Sequence, residues 1–469
     1  MQKLLNKNIS KALFSSVNIA PLVVFRIIFG ALLLYGSIRF VAKGWVHELY
    51  VAPDFYFGYL GFEWVKPLPG SWMYLPFILM IIAALLIILG WKYRWSCSVY
   101  FLSFTYVELL DKSNYLNHYY FVSLMVFLMI WLPAHRKFSL DTYFRPGLRS
   151  ESTTAWTINI LKFQLAMVYI FAGIAKINSD WLMEAMPLKI WLQAHHNVPL
   201  LGEYLQKEWV AYVFSWAGCC YDLFIVFFLL YKSTRIWAYT FVIIFHLVTW
   251  LLFPIGVFPW VMIFSTLIFF NSDFHQTILN GFRRIMNSFS SIKRHQKPET
   301  SKMEGRLSPQ RKAWITGLIS IYVLLQIAVP LRHVFYPGHL FWNEEGFRFS
   351  WRVMLMHKEG YATFFVEDRS TGRMSEIDNS GYLTETQEDQ MSTQPDMILQ
   401  YANYIHEQYQ GKTVTYRGQS FTFEDPAVRA QIYVSLNGRP SQLFVSKRHD
   451  LTAFTYDLKH RDWIEPFSN

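Results

Sequence analysis

The sequence LKFQLAMVYIFAGIAKINSDW, residues 161–181, combines an apolar run long enough to cross a bilayer with a single lysine where that run stops. Ala172, Gly173 and Ala175 make this end of the segment narrow, and small residues allow other backbones to approach closely. An ionisable group at such a depth is a candidate functional residue. We therefore expect a membrane-spanning helix that presents a reactive amine, Lys176, at its end.

The composition is that of a membrane protein with an extramembrane part. Of the 469 residues, 53% are hydrophobic and 16% charged, whereas soluble domains carry about 25% charged residues. The net charge of +10 comes from basic residues in short loops between apolar runs, without a stacking motif, so we expect a lipid bilayer and no nucleic acid as partner. The three cysteines form no CxxC pair, so neither a disulfide framework nor a metal site is expected.

Nine apolar runs are candidate membrane spans. The third, fourth and eighth are short and either tilt little or lie partly in the interface. The runs are 19–40, 72–91, 95–110, 118–133, 157–176, 210–231, 235–253, 256–271 and 314–331.

The distribution of basic residues predicts the orientation of these spans. With the N-terminus inside, the inner segments carry 20 Lys and Arg residues and the outer loops 5, as the positive-inside rule requires. We expect a multi-pass membrane domain over residues 1–335 with a cytoplasmic N-terminus. Residues 272–313 are polar and basic, which predicts a mobile cytoplasmic connector.

Residues 340–469 have no apolar run of spanning length and are predicted to form a small α+β or β-rich domain on the outer side of the membrane. The runs around Arg-Ser-Thr-Gly (369–372) resemble a hairpin. Residues 396–410 have helical periodicity, and Gly411 follows as a stop signal. Asn437-Gly438 between two strand-like runs is a strong hairpin signal. The fold class is therefore an all-α polytopic bundle of about nine helices followed by this domain.

In this topology several polar residues lie at the outer level of the membrane. Lys176 ends span five, while His246 and Trp250 lie near the outer end of span seven. Between spans three and four are Asp111, Lys112, Asn114, Asn117 and His118. A desolvated lysine loses its proton readily and is then a base at neutral pH.

Each of these residues also has a structural interpretation. A lysine at the end of a span commonly extends to the headgroups, although no basic cluster follows Lys176. His118 is equally compatible with a role at a helix start, and His246 with a buried core histidine. Asp111 and Lys112 can be an exposed pair, which contributes little energy.

Several stretches resemble the vitamin K-dependent γ-glutamyl carboxylase family, in its bacterial branch with a horizontally transferred transmembrane (HTTM) domain. They run in family order: DKSNYLNHYYFVSLMVFLMIWLPAHRKFSLD (111–141), LKFQLAMVYIFAGIAKINSDWL (161–182), FHLVTWLLFPIGVFPWVM (245–262), GFRFSWRVMLMHKEG (346–360) and AQIYVSLNGRPSQ (430–442). Together they extend through nearly the whole chain.

The resemblance implies roles for individual residues. Lys176 corresponds to the catalytic base that deprotonates vitamin K hydroquinone, and His118 to a histidine that assists carboxylation. Asn117 precedes this histidine, and with Asn114, His246 and Trp250 it is a candidate cofactor-binding residue. Phe349, Ser350, Trp351 and Arg352 match a region linked to glutamate binding.

The implied reaction couples oxidation of the hydroquinone by O2 to carboxylation of protein glutamate with CO2. A γ-proton of glutamate is far too weakly acidic for a side-chain base, whereas a hydroquinone hydroxyl resembles a phenol, with a pKa near ~10. The site must exclude water, which would quench a strong base. The implied partners are a glutamate-containing protein or peptide and a quinone-reducing partner, and the expected cofactor is menaquinol or phylloquinol, without a metal.

The sequence also departs from the animal enzymes. These have a Lys-Lys pair at the base, and Ala175 stands in place of the first lysine. The animal enzymes also have a long C-terminal extension concerned with propeptide recognition and a membrane-proximal disulfide. This sequence has no counterpart of that extension and no suitable cysteine pair, so propeptide-directed, processive carboxylation is not expected. Two other interpretations stay open: quinol oxidation or epoxidation without carboxylation, and a non-catalytic lipid- or quinone-binding protein.

Overall fold

The computed structural model describes residues 11–199, 201–289, 307–416 and 419–468. Its first part is a helical bundle. The principal helices are α1 (Ala20–Ala42), α2 (Tyr74–Leu89), α3 (Tyr93–Leu110), α4 (Asn117–Trp131), α5 (Trp156–Ala175), α6 (Glu208–Leu230), α7 (Arg235–Leu252), α8 (Phe258–Ser265), α9 (Ser272–Phe289) and α10 (Pro309–Leu331). Short strands β1 (Ser16–Asn18) and β2 (Ser152–Thr154) pair antiparallel beside the first helix.

All nine predicted spans fall on helices, but in the described residues only six helical segments are long and apolar enough to cross a membrane. These six are Ala20–Ala42, Gly70–Leu89, Trp156–Ala175, Glu208–Leu230, Arg235–Leu252 and Pro309–Phe335. The prediction of nine spans is therefore not confirmed. Helices α4 and α8 are short, even with the 3-10 turn that continues α8 to Phe269, and α3 carries Arg94 and Glu108.

Helices α5 and α6 approach closely because α5 carries a glycine at their contact. A Cβ atom at Gly173 would lie 2.8 Å from the backbone nitrogen of Leu223. The sulfur of Cys219, one turn earlier on α6, lies 3.8 Å from the Gly173 carbonyl oxygen. The small residues predicted to admit another backbone therefore do so, and the helix they admit is α6.

The predicted connector 272–313 begins with a regular helix instead of a mobile loop. Helix α9 covers its first part and places apolar residues on one face, where Leu279 is buried and Phe282 packs against Phe138. The remainder of the connector up to residue 306 lies outside the described residues.

The C-terminal domain is α+β, as predicted. Its antiparallel sheet has the order β4-β3-β7-β8, formed by β3 (Lys358–Asp368), β4 (Met374–Ile377), β7 (Pro426–Leu436) and β8 (Gln442–Val445). Helices α11 (Glu385–Thr393) and α12 (Pro395–Tyr409) contact β3 and β7, and β5 (Thr413–Tyr416) pairs with β6 (Gln419–Thr422). The Asn437-Gly438 hairpin is confirmed, since both residues adopt positive φ in the turn between β7 and β8.

The C-terminal domain shares a hydrophobic core with one end of the bundle. Ala175 and Trp181, on either side of Lys176, belong to the same buried cluster as Phe364 and Ile432 of the sheet. The loop before α2 joins this cluster through Phe57. The domain is thus fixed over the end of the bundle that carries Lys176.

Candidate functional site

Lys176 is buried and paired. Its Nζ atom donates a hydrogen bond to Asp222 Oδ2 at 2.7 Å, and the two residues are only 6% and 5% exposed. The Ala172 carbonyl oxygen lies 3.4 Å from the same nitrogen. The close approach of α6 at Gly173 brings Asp222 within reach of the lysine. From the sequence we expected Lys176 to act alone as a neutral amine. In the structure it is paired with the carboxylate of Asp222.

The segment after Lys176 is held on both sides. Trp181 Nε1 donates to the Ser215 carbonyl oxygen on α6 at 2.9 Å. On the other side, Asp180 accepts two hydrogen bonds of 2.9 Å from Arg439 and one of 2.6 Å from Asn437 in the β7–β8 turn. Burial opposes ionisation of Asp180, but the hydrogen bonds from Arg439 and Asn437 outweigh it and lower the pKa. The C-terminal domain therefore fixes the backbone next to the lysine.

Lys176 and Asp222 line a cavity of about 120 Å³, which we call the lysine cavity. His246 also lines it, and Tyr169 Oη lies 3.1 Å from His246 Nε2. This contact fits the structural interpretation of a satisfied buried histidine, and it also places two hydrogen-bonding groups on the cavity wall.

A groove of about 700 Å³ between α6 and α7 adjoins the lysine cavity. None of the described residues that line this groove is charged. The groove and the lysine cavity have five lining residues in common: Phe214, Gly218, Phe245, Thr249 and Phe253. The uncharged groove therefore lies directly beside the lysine cavity.

His118 lines a second, larger cavity of about 550 Å³ between the bundle and the C-terminal domain. Its ring stacks on Phe258, with 5.2 Å between ring centroids and 27° between planes. Lys176 does not line this cavity. Lys176 and His118, which the sequence predicts at the same outer level of the membrane, therefore border two adjacent cavities, both next to the C-terminal domain.

The predicted glutamate region forms a tight loop against α4. Phe349 N donates to Tyr115 Oη at 2.8 Å, and Asn117 Nδ2 donates to the Arg352 carbonyl oxygen at 2.9 Å. Trp351 is buried and stacks on Tyr120 at 5.0 Å. Of the predicted residues in this loop only Arg352 lines the large cavity, whereas Phe349, Ser350 and Trp351 pack beneath it.

Arg352 lines the large cavity and has no ion-pair partner among the residues that the structure describes. Its Nη2 donates to His333 Nε2 at 3.2 Å, while its Nε is buried without a hydrogen-bond partner. Burial, and secondarily Arg332, lowers the pKa of Arg352 to about 10, so it is charged at neutral pH. The charged residues lining this cavity are mostly basic: Arg39, Lys112, Arg348, Arg352 and Lys358, against Glu108 and Glu344.

Lys112 and Asp111 are not the exposed pair that the sequence allowed. Both are 2% exposed. Lys112 forms an ion pair of 2.8 Å with Asp396 of α12, and Asp111 accepts a hydrogen bond of 2.8 Å from Gln387 of α11. Arg348 also pairs with Asp396, at 2.7 Å. These contacts join the α3–α4 connection to the C-terminal domain.

Two predicted cofactor-binding residues are not brought to either cavity. Trp250 is 48% exposed and packs edge-on against Trp260. Asn114 ends the 3-10 turn after α3. Asp222, in contrast, is missing from the sequence-based site. The sequence does contain a signal for Asp222, because a carboxylate inside an apolar run is a candidate functional residue.

The geometry defines a class: a multi-pass membrane protein with a buried lysine–carboxylate pair under an α+β extramembrane domain. Residues 14–274, more than half of the chain, match the family model of the HTTM domain. Residues 311–469 match that of the vitamin K-dependent gamma-carboxylase, lumenal domain. The chain belongs to the vitamin K-dependent gamma-carboxylase family, in its form with an HTTM domain. No solved structure matched the chain.

Proposed function

We propose that the protein is a quinol-dependent γ-glutamyl carboxylase, which couples epoxidation of reduced vitamin K by O2 to carboxylation of protein glutamate with CO2. The observation that carries the proposal is the buried Lys176–Asp222 pair, on a cavity that lies beside an apolar groove. Burial of an ionisable pair at this depth costs hydration free energy. Such residues in membrane segments are therefore candidates for a functional role.

The residues present fit an isoprenoid quinol. Lys176 and the His246–Tyr169 pair offer hydrogen-bonding groups to a ring hydroxyl, and the α6–α7 groove offers an uncharged path for the isoprenoid tail. The bound cofactor would supply, through its oxidation by O2, the basicity that removal of a glutamate γ-proton requires. Menaquinol is the form proposed for a bacterial inner membrane.

The lysine–carboxylate pair would accept the first proton of the reaction, from a hydroxyl group of the quinol. In the ionic form, Lys176 already carries a proton and cannot accept another. Transfer of that proton to Asp222 leaves a neutral amine beside a neutral acid, and neither state of the pair carries net charge. The amine of Lys176 then accepts a hydroxyl proton across the cavity.

The large cavity receives the glutamate. Arg352 supplies a cation for a carboxylate, and charge-assisted hydrogen bonds to a guanidinium are strong and directional. His118 lines the same cavity, which supports the proposal that it assists carboxylation. Phe349 and Trp351 hold Arg352 in position through their packing on Tyr120 of α4, Ser350 donates a hydrogen bond to the Phe347 carbonyl oxygen within the loop, and Asn117 fixes the carbonyl group of Arg352.

The proposed orientation places the N-terminus in the cytoplasm and the C-terminal domain on the periplasmic side, where secreted glutamate-containing substrates are available. The cofactor would leave each turnover as the epoxide, so its regeneration would need reduction of the epoxide to the quinone and then of the quinone to the quinol by a quinone-reducing partner.

The test is an assay of purified protein with reduced menaquinone, O2, labelled bicarbonate and a glutamyl peptide, in which epoxide and labelled peptide are scored together. The wild-type protein should form both, and Lys176→Ala neither. Epoxide without labelled peptide would indicate a quinol epoxidase. A wild-type protein that forms no epoxide, and that binds the quinone no better than the Lys176→Ala variant does, would be a non-catalytic scaffold.

A further inference from the structure

One wall separates the lysine cavity from the large cavity. Four residues line both: Ile255 from the α7–α8 connection, Phe258 at the start of α8, and Val353 and Met354 from the loop before β3. The wall therefore combines one segment of the membrane domain with one segment of the C-terminal domain.

Phe258 occupies the middle of this wall by its ring contacts. Its ring stacks on His118 of the large cavity at 5.2 Å. The same ring lies edge-on to His246 of the lysine cavity, 6.4 Å between centroids and 87° between planes. A single aromatic ring thus contacts one histidine from each cavity, so the wall is about one ring thick at this point.

The backbone on both sides of the wall is in unusual conformations. Gly256, two residues before Phe258, has φ +62°, which is accessible to glycine. Met354 has φ +52°, which disfavours a residue with a side chain. The surrounding contacts hold Met354 there, and it contributes to both cavity surfaces.

The two cavities differ in chemistry. The large cavity is lined by charged residues and receives a hydrated carboxylate, whereas Lys176 and Asp222 are the charged residues lining the lysine cavity within the described chain. Water from the large cavity would compete for the proton of the lysine pair and quench any strong base formed there. A separating wall must be thin enough for the two substrates to meet.

We propose that Phe258 is a positioning residue that separates a water-excluding quinol chamber from the glutamate chamber and thereby couples epoxidation to carboxylation. The inference rests on the proposed function for its chemistry, but the separation itself does not. Loss of the ring should open the lysine cavity to water and allow the cofactor to be oxidised without transfer of CO2 to glutamate.

The separation is tested by thiol accessibility in detergent-solubilised full-length protein. Ala172, a buried residue of the lysine cavity, is changed to cysteine in a chain whose three native cysteines are serine, so the Lys176–Asp222 pair stays intact. A charged methanethiosulfonate should label Ala172→Cys slowly, and about tenfold faster when Phe258→Ala is added, because the excluded water gains access.

Phe214→Ala is the matched control, since Phe214 lines the lysine cavity on the groove side and not the large cavity. It should leave the labelling rate unchanged. The proposed separation of the two cavities would be overturned if Phe258→Ala left the labelling rate of Ala172→Cys unchanged. It would also be overturned if Phe214→Ala raised that rate as much as Phe258→Ala does. Phe258→Leu, which retains an apolar side chain, should restore slow labelling and so exclude general unfolding.

Coupling is measured separately, as the molar ratio of epoxide to carboxylated peptide. Phe258→Ala should raise this ratio about tenfold over wild type, and Phe258→Leu should keep it near the wild-type value. An unchanged ratio in an active Phe258→Ala protein would refute the coupling role. If wild type forms no epoxide at all, the proposed function fails, while the labelling rates still decide whether the wall exists.

Discussion

Lys176 and Asp222 bury opposite charges side by side, and this arrangement sets the energetics of the site. The Coulomb attraction compensates for lost hydration only while both partners are present. Removal of one partner leaves the other charge without compensation in an apolar surrounding. Mutations of this pair can therefore distinguish its contribution to activity from its contribution to stability.

Asp222→Leu should lower the free energy of unfolding by about 3–5 kcal/mol, because Lys176 is left buried and unpaired. The double variant Lys176→Met/Asp222→Leu removes both charges and should recover most of the lost stability while remaining inactive. Thermal melting in detergent measures the stability, and epoxide formation the activity. A double variant no more stable than Asp222→Leu would show that the pair is not electrostatically coupled.

At the scale of elements, the contact of α5 with α6 decides the geometry of the pair. The two helices carry Lys176 and Asp222, and Gly173 sets their distance. The sequence predicted the narrow end of α5 correctly, since small residues at close helix contacts are a local feature. It did not identify α6 as the partner, because that depends on how separate spans pack.

Gly173→Ala should push α6 away from α5 and lower stability by about 1–3 kcal/mol through overpacking. Epoxide formation should fall as the Lys176–Asp222 contact lengthens. Gly317→Ala on α10 is the control, since a Cβ there meets no described atom within 4 Å, and it should leave both quantities unchanged or slightly raise the melting temperature. Equal behaviour of the two variants would contradict the role assigned to Gly173.

At the scale of the whole molecule, ionic contacts dock the C-terminal domain on the bundle. Asp396 of α12 pairs with Lys112 from the bundle and with Arg348. Burial opposes ionisation of Asp396, but Arg348 and Lys112 overcome this and hold its pKa well below the usual range. Burial lowers the pKa of Lys112 to about 8 even though Asp396 raises it, so the lysine is still mostly protonated at neutral pH.

These shifts predict a pH dependence of docking. The depressed pKa of Asp396 contributes stability that is present above the unfolded value, about 3.9, and is lost as the pH falls below it. The melting temperature should therefore fall between pH 5 and pH 3, and Asp396→Asn should have a lower melting temperature at pH 7 and a shallower acid decline. An acid decline as steep in Asp396→Asn as in wild type would assign it to other carboxylates.

The parts of this architecture that sequence predicts are local. The Asn437-Gly438 turn and the helix ending before Gly411 follow from residues adjacent in the chain, and Lys176 stands out by its position in an apolar run. The wall at Phe258 and Met354 joins residues far apart in sequence, so no spacing reveals it. The division of His118 and Lys176 between two cavities follows from that wall.

The most direct measurement of the central claim, that the Lys176–Asp222 pair is the proton acceptor, is the rate of epoxide formation by Lys176→Arg. Arginine retains a positive charge for Asp222 but does not release its proton. The account predicts a melting temperature close to wild type and a rate lower by about 10²–10⁴, the usual contribution of a general base. A Lys176→Arg protein that folds and forms epoxide at the wild-type rate would contradict it.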